Sequence, residues 1–176
     1  MLSIMEACKS PNFPAEIAVV LSNNPDAQGI ISAQNAGIAT EMVNHKKYTA
    51  REDFESEISK RLEKHDVDLI VLAGFMRILT GSFTDQWTGR IINIHPSLLP
   101  DYKGLNTHER AINDGRKESG CTVHFVNSEL DSGDIILQKS VPIYGGDTAS
   151  ILSDRVLEQE HKAYPEAIKI LATSLL

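Results

Sequence analysis

The apolar positions of this chain fall into short runs separated by amphipathic stretches. Glu16 to Leu21 (EIAVVL) is a β-branched run ending at Ser22-Asn23-Asn24-Pro25, which predicts a strand and then a turn. Asp26 to Ala36 reads as a helix closed by Gly37, and Ile38 to Val43 as the next strand. From Thr49 onward Phe54, Ile58 and Leu62 recur at i, i+4 and i+8, the spacing of a long amphipathic helix. Val67 to Ala73 (VDLIVLA) is the most continuously apolar run, the pattern of a parallel strand covered on both faces. Gly74 ends it, and Ile78 to Trp87 predicts a short helix.

Arg90 to Ile94 (RIINI) predicts another strand, stopped by His95-Pro96, and Pro96 to Asn106 must be loop. A short helix around His108 to Asp114 precedes two strands, Thr122 to Val126 and Ile135 to Val141, joined through the turn-rich Glu129 to Asp134. Thr148 to Leu171 predicts a long last helix, interrupted or bent near Tyr164-Pro165. Leu2 to Cys8 reads as a helix that follows no strand, an unusual opening for an α/β sheet. The alternation of strand and helix predicts one α/β domain with a mainly parallel sheet, with ligands expected at the carboxyl ends of its strands.

Composition narrows the function classes more than the fold. A length of 176 residues suffices for one domain with a sizeable core. Net charge is −7 with no block of Lys and Arg, which argues against nucleic-acid binding through clustered cations. The two cysteines, Cys8 and Cys121, lie far apart without CxxC spacing, so neither a disulfide framework nor a structural zinc site is expected. The start lacks the basic n-region of a signal peptide, and no stretch reaches the roughly 20 apolar residues of a membrane span. The expected location is cytoplasmic.

Asn93 and His95 stand two apart on an extended segment, so both side chains project from one sheet face at a strand's carboxyl end. An amide donor beside an imidazole suits an oxygen that becomes anionic in acyl transfer. A strand-end pair bonded to its own loop has the same pattern. Asp131 is an ordinary turn residue on its surroundings alone, although Gly133 permits close backbone approach to a ligand. Phe75, Met76, Ile78 and Leu79 follow the most apolar strand, where they would either wall a flat ligand or join the core. Gln159-Glu160-His161 lacks HExxH spacing, and neighbouring helical residues do not share a face, so no metal is expected there.

Taken in order, AGFMRIL (Ala73 to Leu79), NIHPSLLP (Asn93 to Pro100), YKGLNTHERAI (Tyr102 to Ile112), TVHFVNSELDSGDIILQ (Thr122 to Gln138) and EQEHKAYP (Glu158 to Pro165) form a specific series. Over nearly its whole length the chain resembles the folate-dependent phosphoribosylglycinamide formyltransferases of purine synthesis. The resemblance implies a Rossmann-like formyltransferase fold, with 10-formyltetrahydrofolate as co-substrate, phosphoribosylglycinamide as acceptor and no metal. Asn93, His95 and Asp131 match the family's catalytic positions. Protonated His95 would act as general acid, Asn93 would donate to the oxyanion, and Asp131 would hold His95 charged and relay a proton through water. Arg51, Met76, Arg77, Ile78, Leu79, Asn93, Asn127, Ser128, Glu129 and Leu130 match the folate site. Glu160, with Leu157, Glu158 and Gln159, matches the acceptor site. Partners are then small molecules, with the oligomeric state open between monomer and homodimer.

Three departures from the family pattern stand out. The first strand and the Gly-x-Gly-Ser-Asn phosphate loop have no counterpart, since Met1 falls just after that loop's end; the expectation is a single domain over 1–176 that begins at an internal Met of a longer chain. Ser132 stands where a second glycine is typical, and the sequence stops at Leu176, short of the usual extension. Methionyl-tRNA formyltransferases and formyltetrahydrofolate deformylases look similar around the same motifs, but GLNTH and QEH favour the ribonucleotide acceptor. A truncated, inactive folate-binding module is the alternative from another class.

Overall fold

The computed structural model describes residues 1–174; Leu176, where the sequence stops, lies outside them. Helix α1 (Leu2–Ala7) leads into strand β1 (Val20–Ser22), helix α2 (Gln28–Asn35) and strand β2 (Thr40–Met42). A 3-10 turn over His45–Lys47, which no periodicity predicts, precedes helix α3 (Arg51–Lys64) and strand β3 (Ile70–Leu72). Helix α4 (Gly81–Gln86), strand β4 (Ile91–His95) and helix α5 (Thr107–Asn113) follow. Strands β5 (Glu118–Phe125) and β6 (Ile135–Pro142) and helix α6 (Ala149–Ser174) complete the order.

The ladders explain where strands came out shorter than their apolar runs. Strand β1 pairs in parallel with β2, and β3 in parallel with β4, but β1 and β3 do not pair with each other. Each therefore has one open edge, and only three residues of each are held in a ladder. The same open edge leaves Ile70, Val71 and Leu72 half-buried, where their sequence pattern predicted full burial. Strands β5 and β6 add antiparallel, giving a second sheet in the order β3-β4-β5-β6.

Alternation along β4 sends neighbouring residues into two different cores. Ile91 joins Phe54, Ile58, Leu62, Phe83 and Trp87 beneath α3 and α4, whereas Ile92 joins Val123, Leu152, Val156 and Ala163 beneath α6. Val19 just before β1, Leu21 within it, and Ile70 and Leu72 from β3 all pack against the first cluster, so α3 bridges the divided sheet. Buried Glu55 accepts hydrogen bonds from the Thr80 backbone N–H at 2.9 Å and from the Thr80 hydroxyl, fixing the start of α4. Helix α6 runs unbroken through Pro165, which has no N–H to complete the helical ladder. Just before it, the buried Tyr164 hydroxyl donates to the carbonyls of Leu72 (2.5 Å) and Ile92 (3.2 Å).

One surface network makes stability depend on acid. The Glu41 carboxylate accepts from Lys64 (2.9 Å), His65 (3.1 Å) and Arg61 (2.8 Å). The Lys64 hydrogen bond first, then that of His65, holds it down at about 2 against an ordinary 4.5. A carboxyl lowered on folding stabilises above its unfolded value and loses that contribution as pH falls toward its folded value. Glu41→Gln should therefore lower Tm at pH 7, with the gap to the parent closing as pH falls from about 4.5 to about 2. Thermal unfolding across that range checks it; a constant gap would count against the network.

Candidate active site

The site begins as four polar side chains on one face of the central strands. Asn93 and His95 project from β4 on the side of Ile91, away from α6. Across the antiparallel ladder His124 stands opposite Asn93, and Thr122 opposite His95. The alternating residues Cys121, Val123 and Phe125 face α6 instead. Burying Thr122 is tolerable because its hydroxyl is fully used: it donates to the Ser97 carbonyl (2.7 Å) and accepts from the Leu99 N–H (3.0 Å) and Gln138 (2.9 Å). Those bonds fix the loop that follows His95.

His95 is buried and stands between two acceptors. Its Nε2 lies 2.9 Å from the Tyr102 carbonyl oxygen and its Nδ1 lies 3.3 Å from Asp131 Oδ2. Neither a carbonyl nor a carboxylate can donate, so the geometry suits a ring with protons on both nitrogens. Asp131 is itself held: Oδ2 accepts the Gly104 N–H at 2.9 Å, and its backbone is left-handed, with φ 47°. Lys103 and Ser132 bond side chain to side chain, closing the same two loops together. The half-buried Asn93 stands two residues before His95 on the same face of β4.

Two further histidines border the site, and both were passed over in the sequence. His124 Nδ1 is 2.8 Å from the Phe125 carbonyl, while its buried Nε2 has no hydrogen-bond partner and faces Asp131 Oδ1 at 3.7 Å. Burial is the main cause of its lowered pKa, opposed by the Phe125 carbonyl and Asp131. His108 on α5 is lowered by burial and by the charge of His95. The readable signal for His124 was alternation, because Thr122 and His124 are polar where their neighbours Cys121, Val123 and Phe125 are apolar.

The loop residues expected at a folate site divide. Met76 (80% exposed), Ile78 (61%) and Leu130 (55%) are large apolar side chains open to solvent, while the Leu79 side chain is buried in the α3–α4 core. Arg51 donates to the Ile78 carbonyl at 3.2 Å, and Arg77 lies over the Phe54 ring at 5.6 Å. Gly81 approaches Ser128, Gly104 approaches Leu130, and Asn127 accepts the Glu129 N–H at 2.9 Å, so three loops converge here. Gly133 does permit a close approach, but to the Phe125 backbone rather than to a ligand.

Leu157, Glu158, Gln159 and Glu160 are not drawn into the His95–Asp131 cluster. Leu157 and Glu158 are exposed on α6, and Glu160 faces the Met1 amino group, whose charge opposes the rise that burial imposes on its carboxyl. Among the described residues no group of three or more His, Cys, Asp or Glu could hold a metal ion, and no helix is long and apolar enough to cross a membrane.

A Rossmann-like layer carrying an Asn–His–Asp constellation at its strand ends defines a class, and residues 1–168 match the model of that class: the chain belongs to the formyl transferase family. It is 47% identical over 167 residues to the phosphoribosylglycinamide formyltransferase of Haemophilus influenzae, covering 95% of this chain and 79% of that protein. The phosphoribosylglycinamide formyltransferase of Coxiella burnetii, solved in complex with CHES, superposes with a TM-score of 0.93 at 45% identity, over 98% of this chain and 81% of that one. Against the Homo sapiens trifunctional purine biosynthetic protein adenosine-3 the identity is 46% over 171 residues; the chain spans 97% of itself but 17% of that protein's length.

Proposed function

We propose that residues 1–176 form a single formyltransferase domain that transfers a formyl group from 10-formyltetrahydrofolate to the amine of 5'-phosphoribosylglycinamide in de novo purine biosynthesis. The observation that carries the reading is His95, clamped between Asp131 and the Tyr102 carbonyl beside Asn93. The names of relatives covered over most of their length support it further.

The chemistry follows from the donors. The acceptor amine attacks the formyl carbon, and negative charge builds on the formyl oxygen. The Asn93 amide donates to that oxygen, and the His95 N–H now held by Tyr102 turns to it and then to the departing folate nitrogen. Asp131 keeps the imidazolium charged and, through a water, takes up the proton that the attacking amine sheds. Met76, Ile78 and Leu130 offer apolar contact to the flat pterin, and Arg51, with Arg77 and Asn127 to Glu129, frames the donor. Leu157 to Glu160 receive the ribonucleotide. The protein acts in the cytoplasm on small molecules, as monomer or homodimer, with neither nucleic acid nor membrane as partner and no metal.

Purified protein supplied with 10-formyltetrahydrofolate should yield product with phosphoribosylglycinamide and none with initiator methionyl-tRNA. Formate release without any acceptor would overturn the reading in favour of hydrolysis. Folate binding by calorimetry without turnover on any acceptor would overturn it in favour of a binding module.

A further inference from the structure

His124 has a role that neither Asn93, His95 nor Asp131 fills. Its Nδ1 faces the Phe125 carbonyl oxygen at 2.8 Å, and a carbonyl only accepts, so Nδ1 carries the hydrogen in the neutral ring. Nε2 is then a bare acceptor. It is sealed from solvent in a residue 2% exposed, without a hydrogen-bond partner, and 3.7 Å from Asp131 Oδ1. The other Asp131 oxygen is occupied by Gly104 N–H and His95. A lone pair pointing at a carboxylate oxygen is unfavourable in a low-dielectric interior, and a buried unpaired nitrogen is costly. Both costs vanish when one proton enters the gap.

We propose that His124 is a positioning residue for formyl transfer, whose Nε2 accepts a hydrogen bond from Asp131 Oδ1 once that oxygen has taken the proton of the attacking amine. This inference rests on the formyl-transfer reading above. In the step, the amine N–H bond breaks, its electron pair stays with nitrogen to complete the new C–N bond, and the proton reaches Oδ1 through water. The Oδ1–H then donates to Nε2, drawing the 3.7 Å pair together. The proton is thereby stored on the oxygen far from His95, and Oδ2 stays free to accept from the imidazole. No oxidant or further reactant is needed, and the proton leaves to solvent with the product.

The groups facing His124 are Asp131, from the segment after β5, His95 on β4 and Lys103 in the loop before α5. Of these only Asp131 offers an anion. Once His124 is protonated it can no longer accept, so kcat should fall on the acid side, below the ordinary histidine range because burial lowers His124.

Two variants separate this role from packing. His124→Asn keeps an amide donor for the Phe125 carbonyl and loses the acceptor toward Oδ1; kcat should drop about tenfold or more, the scale of one lost hydrogen bond to a charged group, with both KM values nearly unchanged. His124→Gln places an amide oxygen near Nε2 and cannot titrate, so it should recover much of kcat and lose the acid limb. An Asn variant with parental kcat, or a Gln variant as impaired as Asn, would overturn the role. Should the parent transfer no formyl group at all, the function reading fails, and imidazole nitrogen NMR still decides the geometry. The Nδ1–H tautomer at neutral pH and a titration midpoint that falls in Asp131→Asn support the pairing. The Nε2–H tautomer or an unmoved midpoint refutes it.

Discussion

Asp131→Ala should lower kcat by roughly two to four orders of magnitude, the range lost when a positioned acid–base group is removed. The size of the effect comes from how many interactions converge on one carboxylate. It is the carboxylate paired with His95 Nδ1 at 3.3 Å, so its removal takes away the acceptor that orients the imidazole. It also accepts the Gly104 N–H, and without it the loop bearing Tyr102 and Lys103 loses one of its ties to the 127–134 segment, the Lys103–Ser132 bond remaining. Asp131→Asn separates the two contributions. An amide oxygen can still accept from Gly104, so loop order and folate affinity should survive, whereas the anion beside His95 does not. Steady-state kinetics with folate titration reads both: kcat should collapse in both variants, while KM for the folate rises more in Ala than in Asn. Turnover near the parental rate in Asn would remove Asp131 from the chemistry.

What could be read from the sequence divides according to how local its cause is. Helix α3 and the last helix follow from spacings of three and four residues, and both formed over nearly the predicted lengths. The Asn93–His95 pair was legible because a period of two places them together whatever the rest of the chain does. Asp131 was not legible from its surroundings, because its identity as more than a turn residue depends on Gly104 and His95, brought to it only by the fold. The apolar run from Val67 to Ala73 predicted a strand correctly but overstated its burial, since burial depends on having ladder neighbours on both sides. The loop from Phe75 to Leu79 left two readings open for a related reason: a loop of apolar residues can point outward or inward, and at Ile78 and Leu79 it does both in succession. His124 carried a readable signal in its alternation with Val123 and Phe125, but a polar residue in a strand says nothing of which group lies opposite until the register with Asn93 is known.

Gly133→Ala is expected to damage stability and catalysis together, although the residue touches no substrate. A Cβ built there comes within 2.6 Å of the Phe125 carbonyl carbon and closer still to its oxygen, in backbone that cannot rotate aside. Either the Phe125 peptide or the 131–133 turn must shift, at about 1–3 kcal/mol, as for other overpacked sites. Both shifts reach the site. The Phe125 carbonyl orients His124, the Phe125 N–H bonds the Asp134 carbonyl at 2.9 Å, and Asp131 lies two residues before the new methyl. A displacement of about 1 Å in a positioned group is enough for a loss of roughly a hundredfold. Urea unfolding and kcat should therefore fall together in Gly133→Ala. Gly104→Ala offers the contrast: its φ of 78° also strains a side chain, but the nearest atom to its Cβ is Leu130 Cδ2 at 3.7 Å, an ordinary contact. Backbone strain alone then costs about 1 kcal/mol there, without a collision to move Asp131. The larger loss of kcat should belong to Gly133→Ala, because crowding against the Phe125 backbone, rather than left-handed strain, is what disturbs the carboxylate; equal losses in the two variants would reverse that assignment.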